Sequence, residues 1–342
     1  MAQKISYWLL ITLILSLGFG QLLRFEFYGL PIYFHDFLVV IILILNIRRL
    51  LFVNWNLGIR IFMIGLSLGF LRALTLYSLS SLLIPSLYTL RLLAYLALYF
   101  VVKQSKILIP KSYFLITGFV TLLIGLLQYF FMPDMRIFQY LGWDDHLSRL
   151  TLPHFDPTFT AVMLGLFLLY LIRSRPTQWL IGLMVFWSIL LTYSRSVWLS
   201  LILTGLLFIK NQKILLLSGV LLLLFISVLP QKFGEGTNLM RTFSIESRFN
   251  NDLSIIRDFN WDLITGIGMH RGPNNSYLYL LLASGILGLV GWGMFMFSLY
   301  QKSLHKPMLI FFFLASLFNN VMFYPFALLW VLLIESRVPT ST

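Results

Sequence analysis

The sequence predicts an all-α fold, a polytopic bundle of about twelve transmembrane helices, with eleven as the alternative count. Hydrophobic residues make up 59% of the 342 positions. Charged residues make up 11%, whereas soluble domains carry about 25%. The apolar runs are long and rich in Leu, Ile and Phe, which favours helices over the short alternating strands of a membrane barrel. The absence of cysteine excludes a disulfide scaffold.

A helix that crosses a bilayer needs about 20 apolar residues, and this length defines the predicted spans. They are residues 5–23, 33–46, 57–79, 83–102, 113–132, 158–172, 177–193, 196–209, 214–229, 275–299, 307–319 and 320–335. The last two form one broken or re-entrant element in the eleven-span alternative. The first segment resembles a signal peptide but lacks a small-x-small cleavage site, so we predict an uncleaved helix. Residues 1–342 are predicted to form a single integral membrane domain.

The distribution of Lys and Arg predicts the orientation. The net charge is +13, but the bases are scattered between apolar runs, so no nucleic-acid partner is expected. Placing both termini in the cytoplasm leaves most bases and only one acid, Glu335, inside. All histidines except His305 then lie outside, mostly in long loops such as 230–274. We therefore predict a plasma (inner) membrane protein whose chemistry takes place at the outer face.

The orientation can be tested with alkaline phosphatase fusions. A fusion after Gly236 should be active because the enzyme folds only outside the cytoplasm, and a fusion after Lys106 should be inactive. The reverse pattern would contradict the predicted outer location of the chemistry.

Two arginines, Arg72 and Arg91, fall inside predicted spans, where a charged side chain costs about 2.5–3.5 kcal/mol on insertion scales. Asp36 is the nearest candidate counter-charge. Two cations with at most one acid predict a cavity that receives an anion such as a lipid phosphate. The structural alternative is that both side chains snorkel or bond to backbone carbonyls.

Arg195 lies in the segment T-Y-S-R-S-V-W-L, residues 192–199, at the outer junction of two short spans. A guanidinium beside the free N–H groups of a helix N-terminus is a good phosphate site. The alternative is an interfacial anchor next to Trp198.

The outer loop 133–157 carries two histidines and several acids, among them His146, His154 and Asp156. No pair has the spacing of metal ligands on a helix, so we predict no metal and no cofactor. Arg149 and Asp156 are predicted to form a salt bridge in a lid over the outer face.

The large outer loop 230–274 is predicted to contain an amphipathic helix over 247–259 that lies on the membrane. Its apolar stripe is Phe249, Leu253, Ile256 and Phe259. Arg248 at the helix start and Arg241 before it are candidate anion ligands. Gly266 and Gly268 predict a tight bend. His270 follows that bend and is a candidate base, although a lone histidine is more often structural.

Three segments together resemble the O-antigen ligase and O-antigen polymerase (Wzy-type) membrane family. Residues 192–199 are similar to its T-x-S-R-x-x-W-L signature. P-N-N-S-Y-L at 273–278, followed by G-I-L-G-L at 285–289, is similar to its H-N-S-Y-L…G-x-x-G-L element. Arg149 with F-D-P-T-F at 155–159 resembles its R-L…(N/D)-P-N loop. The likeness covers roughly residues 90–335.

The resemblance implies a metal-independent glycosyltransferase at the outer face of the inner membrane. The donor would be a glycan on polyprenyl pyrophosphate, and the acceptor another lipid-linked glycan or a lipid A core, with a chain-length regulator as a further partner. Arg195 and Arg248 would bind the pyrophosphate, and a loop histidine would deprotonate the acceptor. The substrate-binding set would add Arg72, Arg91, Arg149, Asp156, Arg241, Asn274 and Asn275.

The chain departs from the family pattern at Asn274, where the motif often has histidine. Asparagine cannot act as a base near neutral pH, so either His270 substitutes or charge stabilisation of the leaving group dominates. This departure slightly favours a polymerase over a ligase. Two other classes stay open: a lipid-linked glycan flippase or other secondary transporter, and a metal-dependent glycosyltransferase using Glu26 and Asp36 in the first outer loop.

Overall fold

The protein is a helical bundle, described here from a computed structural model that is 77% helical. The described residues are 2–27, 30–105, 107–175, 177–209, 219–220, 223–224, 226–229, 235–240, 242–258, 263–269 and 272–337. The first nine helices are α1 Ala2–Leu17, α2 Phe34–Leu45, α3 Ile47–Leu51, α4 Leu57–Leu76, α5 Leu79–Ser105, α6 Lys111–Phe131, α7 Pro157–Ser174, α8 Trp179–Leu191 and α9 Arg195–Phe208. The remaining ones are α10 Phe243–Asp258, α11 Ser276–Lys302, α12 Lys306–Phe318 and α13 Pro325–Glu335.

Five of these helices are long and apolar enough to cross a membrane: α4, α5, α6, α7 and α11. The other apolar helices, such as α12 and α13, are shorter, with 13 and 11 residues. At about 1.5 Å per residue, such helices fall short of a hydrocarbon core of about 30 Å. The helical bundle is therefore confirmed, whereas the count of about twelve spans is not. Half of the predicted span 214–229 lies outside the described residues.

A β-hairpin that the sequence analysis did not predict precedes α2. Strands β1 (Arg24–Phe27) and β2 (Leu30–Tyr33) pair antiparallel, with Arg24 opposite Tyr33. Alternating residues such as Phe25 and Ile32 suit a short strand, but four residues are too few to give a periodic signal. The hairpin ends where Asp36 accepts the Tyr33 backbone N–H and starts α2.

The core lies around α7 and α13. Every residue of α13 from Phe326 to Ile334 is buried, and α7 buries residues on all sides. A helix that is apolar all round packs in the interior of a bundle. The first helix belongs to this bundle, since Leu10, Leu13 and Ile14 are buried in the same core.

Helices α4 and α11 are far apart in sequence but pack against each other through small residues. Gly58 and Gly65 of α4 face Gly291 and Gly288 of α11. A Cβ at Gly65 would lie 2.6 Å from the Ser284 carbonyl oxygen. Small residues at matching helical spacing let two backbones approach closely, as in membrane helix pairs.

Helix α11 is interrupted at Gly285, whose φ of 64° and ψ of −172° are non-helical. The backbone groups near this break are bonded by the preceding segment: Ile286 N–H donates to Leu263 O at 2.7 Å, and Ile267 N–H donates to Leu282 O at 2.7 Å. Gly266 and Gly268 have φ values of 76° and 75°, which confirms the predicted bend. An L-residue with a side chain rarely adopts such angles.

Helix α10 confirms the predicted helix in the 230–274 loop, although it begins four residues earlier than predicted, at Phe243. Phe249 and Ile256 are 62% and 50% exposed, as expected for a stripe that faces lipid rather than protein. Ile255 is buried against Leu282 and anchors the helix to α11. The predicted end at Phe259 lies outside the described residues.

Candidate functional site

Asn319 connects several segments that are distant in sequence. Its Oδ1 accepts a hydrogen bond from Arg248 Nη1 at 2.5 Å, and its Nδ2 donates to Ser196 Oγ at 3.0 Å. Its backbone oxygen accepts from Ser276 Oγ at 2.9 Å. Asn319 is 5% exposed, so these bonds also satisfy a polar side chain that is costly to bury. We call Arg195, Ser196, Arg248, Asn275 and Asn319 the arginine–asparagine cluster.

The C-terminus of α12 explains why donors collect here. The last carbonyls of a helix have no intrahelical partner. Arg248 Nη1 also approaches Phe318 O at 3.4 Å, and Asn275 Nδ2 donates to Leu317 O at 2.8 Å. Arg248 Nη1 is the only guanidinium nitrogen of this residue with a bond among the described residues. The guanidinium of Arg248, which is partly buried, therefore has further N–H donors for an anion.

Arg195 is the first residue of α9, and its Nη1 donates to Leu239 O at 2.7 Å. The side chain of the N-cap Ser194 does not cap the backbone N–H groups of the first turn of α9, and its Oγ lies 3.5 Å from Ser196 Oγ. The helix start therefore keeps its positive end available for an anion. Ser196, the next residue, connects this N-terminus to Asn319 and so to Arg248.

Among the described residues, three non-glycine residues in the loops before α7 and before α9 have left-handed backbone angles. Each such residue costs about 1–3 kcal/mol. Tyr193 has φ of 53° and lies before Ser194 and Arg195 in the loop between α8 and α9. Ser148 and Phe155 have φ of 54° and 55° in the loop before α7. Strained residues of this kind concentrate at functional sites. Tyr193 lies in the turn that leads into α9.

Arg149 stabilises the turn that contains Tyr193 by a hydrogen bond to the neighbouring Thr192. It is 7% exposed, and its Nε donates to Thr192 O at 2.9 Å. Gly236 lies against its side chain, since a Cβ there would lie 2.8 Å from Arg149 Cδ. Asp156 caps α7 by accepting the N–H groups of Thr158 and Phe159 at 2.6 and 2.8 Å. These contacts give both residues structural roles. None of the ion pairs between described residues joins Arg149 to Asp156, so the predicted lid salt bridge is not confirmed.

Arg91 forms a second polar group near the hairpin. Its Nη2 lies 2.9 Å from Asp36 Oδ2 and donates to Pro31 O at 2.6 Å. The hydroxyl of Tyr95 donates to Asp36 Oδ1 at 2.5 Å. Asp36 is thus the partner that the sequence suggested, and Arg91 also bonds a backbone carbonyl as in the alternative reading. Arg72 is exposed near the end of α4, where its Nη1 approaches Thr75 Oγ1 at 3.5 Å.

Asn274 and Asn275 differ in their contacts. The Asn275 side chain is the N-cap of α11 and accepts the N–H groups of Tyr277 and Leu278 at 2.8 and 3.1 Å. The backbone N–H of Asn274 donates to Asp252 Oδ1 on α10 at 2.9 Å. Asn275 therefore holds the cluster together, and Asn274 connects it to α10. His270 and Arg241 lie outside the described residues, so their roles stay predictions.

One group among the described side chains has the composition of a metal site. The ligand atoms of Asp144, His146 and Asp156 lie within 4.8 Å of one another. Burial, followed by the Arg149 guanidinium, lowers the pKa of His146, while the nearby aspartates oppose the shift. No metal was predicted here because no two of these residues have the spacing of ligands on a helix, whereas the fold brings Asp144 and His146 close to Asp156 at the start of α7.

His154 is expected to make the stability of the protein sensitive to acid. It is fully buried in the turn before α7, and its Nδ1 is 2.8 Å from the Tyr324 hydroxyl. Burial lowers its pKa from 6.5 to about 3. The unfolded chain binds the proton more tightly, so this contribution to stability is complete above pH 6.5 and is lost as the pH falls toward 3.

We expect thermal unfolding of the wild type to shift to lower temperature as the pH falls from about 7 to 4, and less so for His154→Gln. The measurement is the unfolding midpoint of both proteins in one detergent across that range. The unfolding midpoint of the variant is expected to start lower because the variant loses packing, so the slope of the midpoint against pH is the readout. Parallel slopes would exclude His154 as a source of the acid sensitivity.

Asn319, the residue that joins the cluster, was not predicted from the sequence. The signal that could have indicated it is the polar pair Asn319–Asn320 between two apolar runs. No protein-family model matches the chain, and no match was found among curated proteins or solved structures.

Proposed function

We propose that the chain is a lipid-linked oligosaccharide polymerase or ligase that transfers a glycan from polyprenyl pyrophosphate to a sugar hydroxyl at the outer face of the membrane. The observation that carries the proposal is the bond series Arg248–Asn319–Ser196 beside Arg195. It joins two arginines and an uncapped helix N-terminus, which suits a pyrophosphate. The motif resemblance supplies the glycan and the polyprenyl carrier.

In the proposed reaction, the acceptor oxygen attacks the anomeric carbon of the donor glycan. The bond from that carbon to the pyrophosphate oxygen breaks, and the electron pair leaves with the pyrophosphate. Arg195 and Arg248 stabilise the charge that develops on this leaving group. The acceptor proton passes to His270 or, without a histidine base, to solvent. Asn274, Arg241, Arg72 and Arg91 are proposed to contact substrate around this centre.

The proposed partners follow from this chemistry. The donor is a glycan on polyprenyl pyrophosphate, and the acceptor is a lipid-linked glycan or a lipid A core, both reached from the bilayer of the inner membrane. A chain-length regulator is a further proposed partner. Apolar helices such as α5 and α6 make a bilayer environment plausible for the protein.

The proposal is tested with purified protein in proteoliposomes that contain lipid-linked repeat units. We expect a ladder of lengthened products without added metal or nucleotide, and the same ladder in EDTA. Loss of the ladder in EDTA, restored by a divalent ion, would contradict metal independence and direct attention to Asp144, His146 and Asp156. Intact substrate under all conditions would contradict the glycosyltransferase assignment.

The role of His270 has its own test. A neutral imidazole must accept the acceptor proton, so activity should rise with pH through a pKa near or above about 6.5. A nearby pyrophosphate favours the charged imidazolium and raises that pKa. His270→Gln should lower turnover by about 10²–10⁴-fold and flatten the acid limb of the profile. A variant that retains activity within a few-fold, with the acid limb intact, would exclude the base role.

A further inference from the structure

Four basic side chains meet at the end of the bundle opposite the arginine–asparagine cluster. We call Lys111, Arg173, His305 and Arg337 the basic cluster. Lys111 begins α6, Arg173 lies in the last turn of α7, His305 precedes α12, and Arg337 follows α13.

Two buried aromatic rings hold the basic cluster together. Arg337 Nη1 donates to the Tyr170 hydroxyl at 2.8 Å, and its guanidinium carbon is 5.8 Å from the centroid of Phe114. The His305 ring lies 5.0 Å from the ring of Tyr170. Lys111 is three residues before Phe114 and Arg173 three after Tyr170, so each shares a helix face with its ring.

Among the residues that the structure describes, no acid neutralises the basic cluster. None of the ion pairs between described residues involves its four members. Glu335, the nearby carboxylate, accepts a bond from Ser303 Oγ at 2.7 Å instead. The Nδ1 of His305 is buried without a partner among the described residues. Burial and then Arg337, Arg173 and Lys111 lower the pKa of His305 to about 4, which agrees with the closeness of the three cations.

We infer that the basic cluster binds the phosphate of an anionic phospholipid headgroup. Basic pockets between membrane helices on the cytoplasmic side bind such headgroups, and positive charge here matches the predicted cytoplasmic side. The phosphate would supply the missing negative charge and tie together the ends of α6, α7 and α13. Arg60 offers a contrast, since it is an exposed base whose Nη2 bonds only Asn54 among the described residues.

The test measures binding of the full-length protein to nanodiscs or mixed micelles containing phosphatidylglycerol or phosphatidylcholine. We expect specific binding of phosphatidylglycerol, weakened about fivefold by Arg337→Gln and by Arg173→Gln, the contribution of one base near an anionic surface. Arg60→Gln should bind as the wild type does.

Two outcomes would overturn the inference. One is equal loss in Arg60→Gln and Arg337→Gln, which indicates only a diffuse attraction between a basic protein and an anionic membrane. The other is an equal response to inorganic phosphate, which indicates a site for the free ion. Arg337→Lys keeps the charge, so retained binding there shows that a loss in Arg337→Gln is not caused by misfolding.

Discussion

Arg248→Ala and Arg195→Ala are expected to lower polymer formation by at least about 10²–10³-fold, the usual effect of removing one donor to a developing charge. Each arginine contacts the same small region, one through Asn319 and the other at the start of α9. Removing either leaves the pyrophosphate charge partly unpaired in the transition state. The measurement is the rate of product formation at saturating donor, compared with the amount of folded protein in the membrane.

Helix α10 supplies a matched control. Arg257 is an exposed arginine on the same helix as Arg248, so Arg257→Ala changes the net charge equally. It should retain activity within a few-fold. Lys at 195 or 248 should rescue poorly because a point charge lacks the planar fork of donors. Equal activity of Arg248→Ala and Arg257→Ala would remove Arg248 from the site and reduce it to a cap of α12.

Gly291→Ala is expected to destabilise the bundle strongly, by about 1–3 kcal/mol or more from overpacking. The new Cβ would overlap the backbone nitrogen of Phe62 and lie 2.7 Å from the Gly58 carbonyl oxygen. Backbone atoms cannot rotate away as side chains can, so α4 and α11 would have to separate. The measurement is the thermal unfolding midpoint in detergent, together with the yield of monodisperse protein.

Gly293 lies on the same helix with nothing within 4 Å of an added Cβ. Gly293→Ala should therefore leave the midpoint unchanged or raise it slightly, because alanine favours a helix more than glycine does. A similar midpoint for both alanine variants would contradict the close packing of α4 against α11.

The helices could be predicted from the sequence because long apolar runs depend only on neighbouring residues. Helix α10 could be predicted for the same reason, from its 3.6-residue pattern. The predicted span number is not confirmed where helices are short: α12 ends at Phe318 and α13 begins at Pro325. Apolar composition alone does not distinguish a complete crossing from a short helix buried inside the bundle.

The candidate site could be predicted in part. Arg195 and Arg248 were identified from their charge and local context, but their connection depends on Asn319 and on the packing of α12. The pairing of Arg91 with Asp36 was suggested by the shortage of acids in the spans. Asn275 and Asp156 act as helix N-caps, and this role is set by local geometry. The motif resemblance had assigned both residues to substrate binding. Contacts between segments that are distant in sequence leave no periodic pattern along the chain.

The central claim is that the chain transfers a glycan from polyprenyl pyrophosphate, and the released carrier measures this most directly. In proteoliposomes with labelled donor, the account predicts one free polyprenyl pyrophosphate for each repeat unit added, with both products lost together in Arg195→Ala and Arg248→Ala. Movement of intact donor between the two leaflets, with no carrier released, would contradict the account and identify a transporter.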